Sequence, residues 1–177
     1  MAVILGIDPG SRFTGYGVIQ SEKSQLIYRA SGCIKLIEAA FSERLKKIFS
    51  NLQTVLAQYI PTEVAIEQVF FHLNPNVALK LGQARGAAIV AAAMADVSIT
   101  EYSARQVKQS VVGYGAASKQ QVQHMVRILL NLSSTPQIDA ADALALAICH
   151  AQSKPAPASP LAQKTGGLLR FRRGRLR

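Results

Sequence analysis

Apolar residues run in short unbroken stretches at the start of the chain and recur at helical steps further on. Val3-Ile4-Leu5-Gly6-Ile7 is an apolar run stopped by Asp8-Pro9-Gly10, which predicts a buried strand ended by a turn. Gly15, Gly17 and Val18-Ile19 predict a second strand, and residues 26–34 a third. Short polar turns between them predict an antiparallel meander. The period then changes. Leu45, Ile48, Phe49, Leu52, Val55, Leu56 and Tyr59 recur at three- and four-residue steps, predicting an amphipathic helix over 42–59. Ser42 is its expected N-cap and Pro61 its stop. Val64-Ala65-Ile66-Glu67 predicts a fourth strand and residues 97–102 a fifth. An alanine-rich helix is predicted over 75–95, with three more over 103–112, 118–130 and 140–151.

Three meander strands followed by alternating helix and strand predict an α/β domain with a mixed sheet. In such sheets chemistry collects outside the strand ends. Composition supports a globular chain, since 49% of residues are hydrophobic. The formal net charge of +10 points towards polyanions, but it is unevenly spread. Lys154, Lys164, Arg170, Arg172, Arg173, Arg175 and Arg177 supply +7 after residue 150, while thirteen bases against ten acids leave +3 before it. The expected division is therefore a domain over 1–153 and a basic, disordered tail over 154–177. That tail is expected to add non-specific phosphate affinity. No stretch reaches about 18 uninterrupted apolar residues, and the N-terminus lacks a charged-then-apolar signal pattern. A cytoplasmic protein is expected. Cys33 and Cys149 read as buried free thiols in apolar surroundings, too few for a disulfide scaffold.

The acids carry the chemical signal. Only ten are present. Asp8 ends the first apolar strand, and Glu67 ends the fourth. Asp139 and Asp142 stand three residues apart in Ile138-Asp139-Ala140-Ala141-Asp142-Ala143-Leu144, a spacing that puts both on one face of a helix near its start. Each also has a plainer reading: Asp8 as a turn residue, Glu67 as a strand-end charge, Asp139 as a helix cap. A cap does not call for a second acid at 142. Together the four are better explained by a shared task. Clustered carboxylates repel, divalent cations relieve that repulsion, and an all-oxygen donor set suits Mg²⁺ or Mn²⁺. Two such ions can activate a water and stabilise a leaving oxygen in phosphodiester cleavage. Rival sites are weak. His72, His124 and His150 lack metal-ligand spacing, with His124 beside an apolar helical stripe, and neither a Gly-x-Ser-x-Gly elbow nor a Walker loop occurs.

Gly6-Ile7-Asp8-Pro9-Gly10-Ser11, Thr14-Gly15-Tyr16-Gly17 and Ile66-Glu67-Gln68-Val69-Phe70 resemble the RuvC family of bacterial Holliday-junction resolvases. So do Ala78-Leu79-Lys80-Leu81-Gly82-Gln83-Ala84-Arg85-Gly86, Arg105-Gln106-Val107-Lys108 and Asp139-Ala140-Ala141-Asp142-Ala143, in unbroken order over residues 2–150. The resemblance implies a ribonuclease-H-like fold, with a mixed five-stranded sheet and helices on both faces. It further implies a homodimer that nicks two opposed strands of a four-way junction symmetrically, with Mg²⁺ as cofactor. Asp8, Glu67, Asp139 and Asp142 match the family's catalytic carboxylates. Phe70 matches an aromatic that enters the junction and stacks on bases, while Lys108 and Lys119 match basic positions near the scissile phosphate. Arg85 is a further candidate for DNA or interface contact. The helix from Pro75, with Gly82 and Gly86, suits packing across a dimer. RuvA and RuvB are the implied branch-migration partners.

Three other readings compete. An actin-like or Hsp70-like ATPase shares the related fold but needs two lobes, and this chain has room for one. A non-catalytic junction-binding module has no use for four carboxylates. A nuclease of the same fold acting on RNA uses the same acids, and substrate assays must separate it.

Overall fold

The structure is a computed structural model that describes residues 1–23, 25–37, 40–68 and 74–153. Its first three strands, β1 (Ala2–Asp8), β2 (Phe13–Glu22) and β3 (Gln25–Lys35), form the expected antiparallel meander. Strand β4 (Glu63–Glu67) then pairs parallel to β1, and β5 (Ser98–Tyr102) pairs parallel to β4. The sheet order is β3-β2-β1-β4-β5, so the chain's first strand becomes the central one. Centrality explains its composition. Ile4, Leu5 and Ile7 are fully buried, and a strand covered on both faces must be apolar throughout rather than alternating.

Helices cover both faces. Helices α1 (Phe41–Tyr59) and α2 (Pro75–Ala93) lie on one side, over a core that includes Leu5, Ile7, Val18, Val64 and Ile66. On the other side α3 (Ala104–Val112), α4 (Lys119–Leu129) and α5 (Ile138–Ser153) enclose a second core around Ile4, Ile19, Val126, Leu144 and Ile148.

The helix ends follow local chemistry, with one departure from expectation. Ser42 is not the cap of α1: that helix starts at Phe41, its N-cap is Ala40, and no side chain caps it. Its C-terminus ends as anticipated, with Ile60 left-handed at φ 45° and Pro61 following. Asn74 caps α2 by accepting from the Asn76 amide, with Pro75 in the first turn. Ser103 with Gln106, and Ser118 with Gln121, form reciprocal capping boxes that start α3 and α4. The second of these fixes where Lys119 begins its helix.

Helix α5 lies directly on β1 and β2 because small residues clear its path. A Cβ on Gly6 would stand 1.9 Å from the Ala143 carbonyl oxygen, and one on Gly15 would stand 1.9 Å from that of Asp139. Neither position tolerates a side chain without moving the helix. Further along α5, buried His150 is bonded at both ring nitrogens: Nδ1 to the Tyr102 hydroxyl at 2.8 Å and Nε2 to Glu63 Oε2 at 2.6 Å. This polar pin joins α5 to β4 and β5.

Candidate active site

Strand alternation decides which way the acids face. In β1, Ile4 packs into the α5-side core while Leu5 and Ile7 pack opposite, which directs Asp8 to the α5 side. In β4, Ala65 lies on the α5 side while Val64 and Ile66 face away, so Glu67 shares the side of Asp8. The parallel register pairs Ile7 with Ile66, so the two acids end neighbouring strands at the same sheet edge. The first turns of α5 bring Asp139 and Asp142 to this edge. All four acids are half-buried.

Their electrostatics betray the crowding. The Asp8 carboxyl is pushed well above its ordinary value of 3.8, first by burial, then by the charges of Glu67 and Asp142 and by a hydrogen bond with Glu67. Lys119 acts in the opposite sense on Asp8. Its Nζ donates to Asp142 Oδ2 at 2.8 Å. That bond raises the ammonium's pKa against the effect of burial, aided by the negative charges of Asp142, Asp8 and Asp139. The Cys33 thiol, with Sγ 3.8 Å from Asp139 Oδ2, is pushed up by burial and then by that carboxylate. It therefore serves as a weak donor to Asp139.

A cavity of about 140 Å³ opens beside the acids, lined by Glu67, Asp142, Lys108 and Lys119 against an apolar wall that includes Val107, Val122 and Leu146. Two of the sequence-flagged lysines and two of the flagged acids thus share one hollow. Among the described residues, no three His, Cys, Asp or Glu side chains close around one point as a finished metal cage. The donor set nonetheless fits hard cations. A hydrogen bond couples Asp8 to Glu67, and the Lys119 ammonium neutralises Asp142. A proton shared between two acids and one ammonium thus offset part of the repulsion within the carboxylate cluster, the task that divalent ions would perform.

Asp8, Glu67, Asp142 and Lys119 are thus gathered directly, Asp139 is close enough to act on Lys119, and Lys108 lines the adjoining cavity. Arg85 is differently employed: its guanidinium is bonded inside the fold, to the Glu67 carbonyl and to Glu101. Phe70 and the basic tail lie outside the described residues. Cys33 departs from expectation, being half-buried against an acid rather than enclosed in apolar core. Nothing in the sequence signalled this contact, which arises because Gly15 pairs with Cys33 and lies under Asp139. Cys149 is buried as anticipated, and His124 is exposed on its helix.

The family model described as crossover junction endodeoxyribonuclease RuvC matches residues 4–150. The chain belongs to the RuvC family. A RuvC of Pseudoalteromonas translucida is 57% identical over 177 residues, covering 100% of this chain and 99% of that protein. One from Marinobacter nauticus is 62% identical over 151 residues, covering 85% and 86%. Among solved structures, Thermus thermophilus RuvC in complex with a Holliday junction substrate superposes with a TM-score of 0.80 at 36% identity, covering 85% of this chain and 93% of that one. The fold is accordingly ribonuclease-H-like, with the mixed sheet and two helical layers common to RuvC. Among the described residues, no helix is long and apolar enough to cross a membrane.

Proposed function

We propose that this chain is a crossover junction endodeoxyribonuclease that resolves Holliday junctions by paired nicking of opposed strands, in DNA recombination and repair. The observation that carries the reading is the convergence of Asp8, Glu67 and the α5 acids on one sheet edge, beside two lysines. Metal dependence is a family property. Two Mg²⁺ ions per subunit, with Mn²⁺ able to substitute, are the cofactors we assign to these four carboxylates. Such ions supply water activation and stabilisation of the leaving oxygen, for products with 5′-phosphate and 3′-hydroxyl ends.

The chain's own groups do the rest. Asp8 and Glu67 hold the strand-end side of the site, and Asp139 and Asp142 hold the helix side. Lys119, freed from Asp142 when the acid cluster binds cations, can turn to the scissile phosphate, and Lys108 contacts the backbone along the same cavity. Phe70 is assigned to stacking on an unpaired base. Paired nicking needs two sites, hence a homodimer. Leu79 and Val90 of α2 and Met94 at its C-cap are 65%, 50% and 68% exposed and fall on one stripe with Gly82 and Gly86, where an added Cβ meets nothing within 4 Å. A second copy of the chain is the occupant assigned to that stripe. RuvA and RuvB are the further partners, and the cytoplasm the place of action.

Asp8→Asn tests the assignment. It removes charge from the site but little DNA-binding surface. Cleavage of a synthetic four-way junction in Mg²⁺ should be abolished while junction binding by gel shift persists. Normal nicking by this variant would remove Asp8 from the site.

A further inference from the structure

Arg85 comes from α2, on the sheet face opposite the carboxylates, yet its guanidinium ends at one of their strands. Its Nε donates to the Glu67 carbonyl oxygen at 3.0 Å, and Nη2 lies 2.6 Å from Glu101 Oε1. The second contact is an ion pair of poor alignment, because buried Nη2 makes no well-directed hydrogen bond. Glu101 belongs to β5 and pairs with Ile66 of β4. One fork therefore ties α2 to the last residue of β4 and to the strand beside it.

That last residue needs holding. The register between β4 and β1 stops at Ile66, so Glu67 has no ladder partner on the β1 side. On the other side the β5 ladder runs one step further, through the Gln68 amide to the Tyr102 carbonyl at 2.9 Å. A carboxylate that must be held to within about half an ångström of a working geometry gains from a second anchor where its strand is paired on one side only. The Arg85 side chain is only 19% exposed, so its head has little surface to offer a phosphate.

We infer that Arg85, oriented by Glu101, is a positioning residue that fixes Glu67 in the active site, rather than a DNA contact. It acts through the Glu67 main chain and touches no reacting atom. The inference rests on the assignment of Glu67 as a metal-binding carboxylate.

The test uses the full chain and the variants Arg85→Met, Arg85→Lys and Glu101→Gln. Three quantities are read: Mn²⁺ binding without DNA by calorimetry, junction affinity and its salt slope without divalent ions, and single-turnover cleavage against Mg²⁺ concentration. Arg85→Met should lower the saturated rate by on the order of tenfold and weaken Mn²⁺ binding by a similar factor, the usual range for losing a group that supports a metal ligand. Junction affinity and salt slope should not change. Arg85→Lys should fall between, since an ammonium can keep one contact but not the fork. Glu101→Gln should shift rate and Mn²⁺ binding the same way, and should add nothing when combined with Arg85→Met. If Arg85→Met fails to fold, the half-exposed Glu101→Gln carries the test. Weaker junction binding with a salt slope reduced by about one would identify a phosphate contact and overturn the inference, as would unchanged Mn²⁺ binding. A parent chain that cleaves no junction removes the functional reading and, with it, this inference. A parent that cleaves beside unaffected variants overturns this inference alone.

Discussion

Replacing Gly15 by Ala asks whether the bare track under α5 sets the geometry of the site. The new methyl carbon would stand 1.9 Å from the Asp139 carbonyl oxygen and 2.5 Å from its carbon. Ordinary contact begins near 3.4 Å, so the helix start must lift by about 1.5 Å or the strand must bend by as much. Both backbones are parts of packed elements, and overpacking of this kind destabilises by roughly 1–3 kcal/mol. For a domain of this size each kcal/mol lowers Tm by about 2–4 °C. Catalysis should suffer more than stability. Asp139 and Asp142 ride on the displaced turns, and a misplacement of about 1 Å can lower a rate by on the order of a hundredfold. Single-turnover cleavage of a four-way junction in saturating Mg²⁺, paired with a thermal melt, reads both quantities. The expected result is a modest fall in Tm with a rate loss near two orders of magnitude. An unaltered Tm together with the parental rate would refute the claim that close contact between α5 and β2 builds the site.

Two further outcomes follow from the same structure. Gly86→Leu puts a good helix former on an open helix surface, so it should leave the folded monomer at least as stable while weakening the dimer. Sedimentation should show monomer at concentrations where the parent is dimeric, and an unchanged dimer would take α2 out of the interface. For Asp8, the raised carboxyl pKa means that the metal-free folded protein keeps a proton the unfolded chain releases. Ionising it costs stability as pH rises from 3.8 through the folded value. Asp8→Asn should therefore raise the metal-free Tm at neutral pH and leave it unaltered below pH 3.8. A Tm gain confined to acid would contradict the burial and repulsion assigned to this residue.

Much of this molecule was legible in the residues. The strands announce themselves because β1 and β4 are buried on both faces and so read as unbroken apolar runs, while α1 shows its half-exposed face at 3.6-residue steps. Asp8 and Glu67 stood out because each terminates such a run, and Asp139 with Asp142 because their spacing matches one helical face. What stayed hidden depends on long-range pairing. Cys33 meets Asp139 only through the β2–β3 register, and Arg85 meets Glu67 only because α2 crosses the ends of β4 and β5. His150, unremarkable as a third scattered histidine, proves to be bonded at both nitrogens to residues 48 and 87 positions away. Ser42 misled for a simpler reason: a capping residue type one place inside a helix start looks like a cap until the backbone is traced.

Cleavage of three substrates by the parent chain, each with and without Mg²⁺, weighs most directly on the central claim that four convergent carboxylates form a junction-selective nuclease. The substrates are a synthetic four-way junction, a linear duplex of the same sequence and an RNA–DNA hybrid. The prediction is paired, symmetric nicks in the junction alone, and only with Mg²⁺. Equal cleavage of all three, or junction cleavage that persists after chelation of divalent ions, would contradict it.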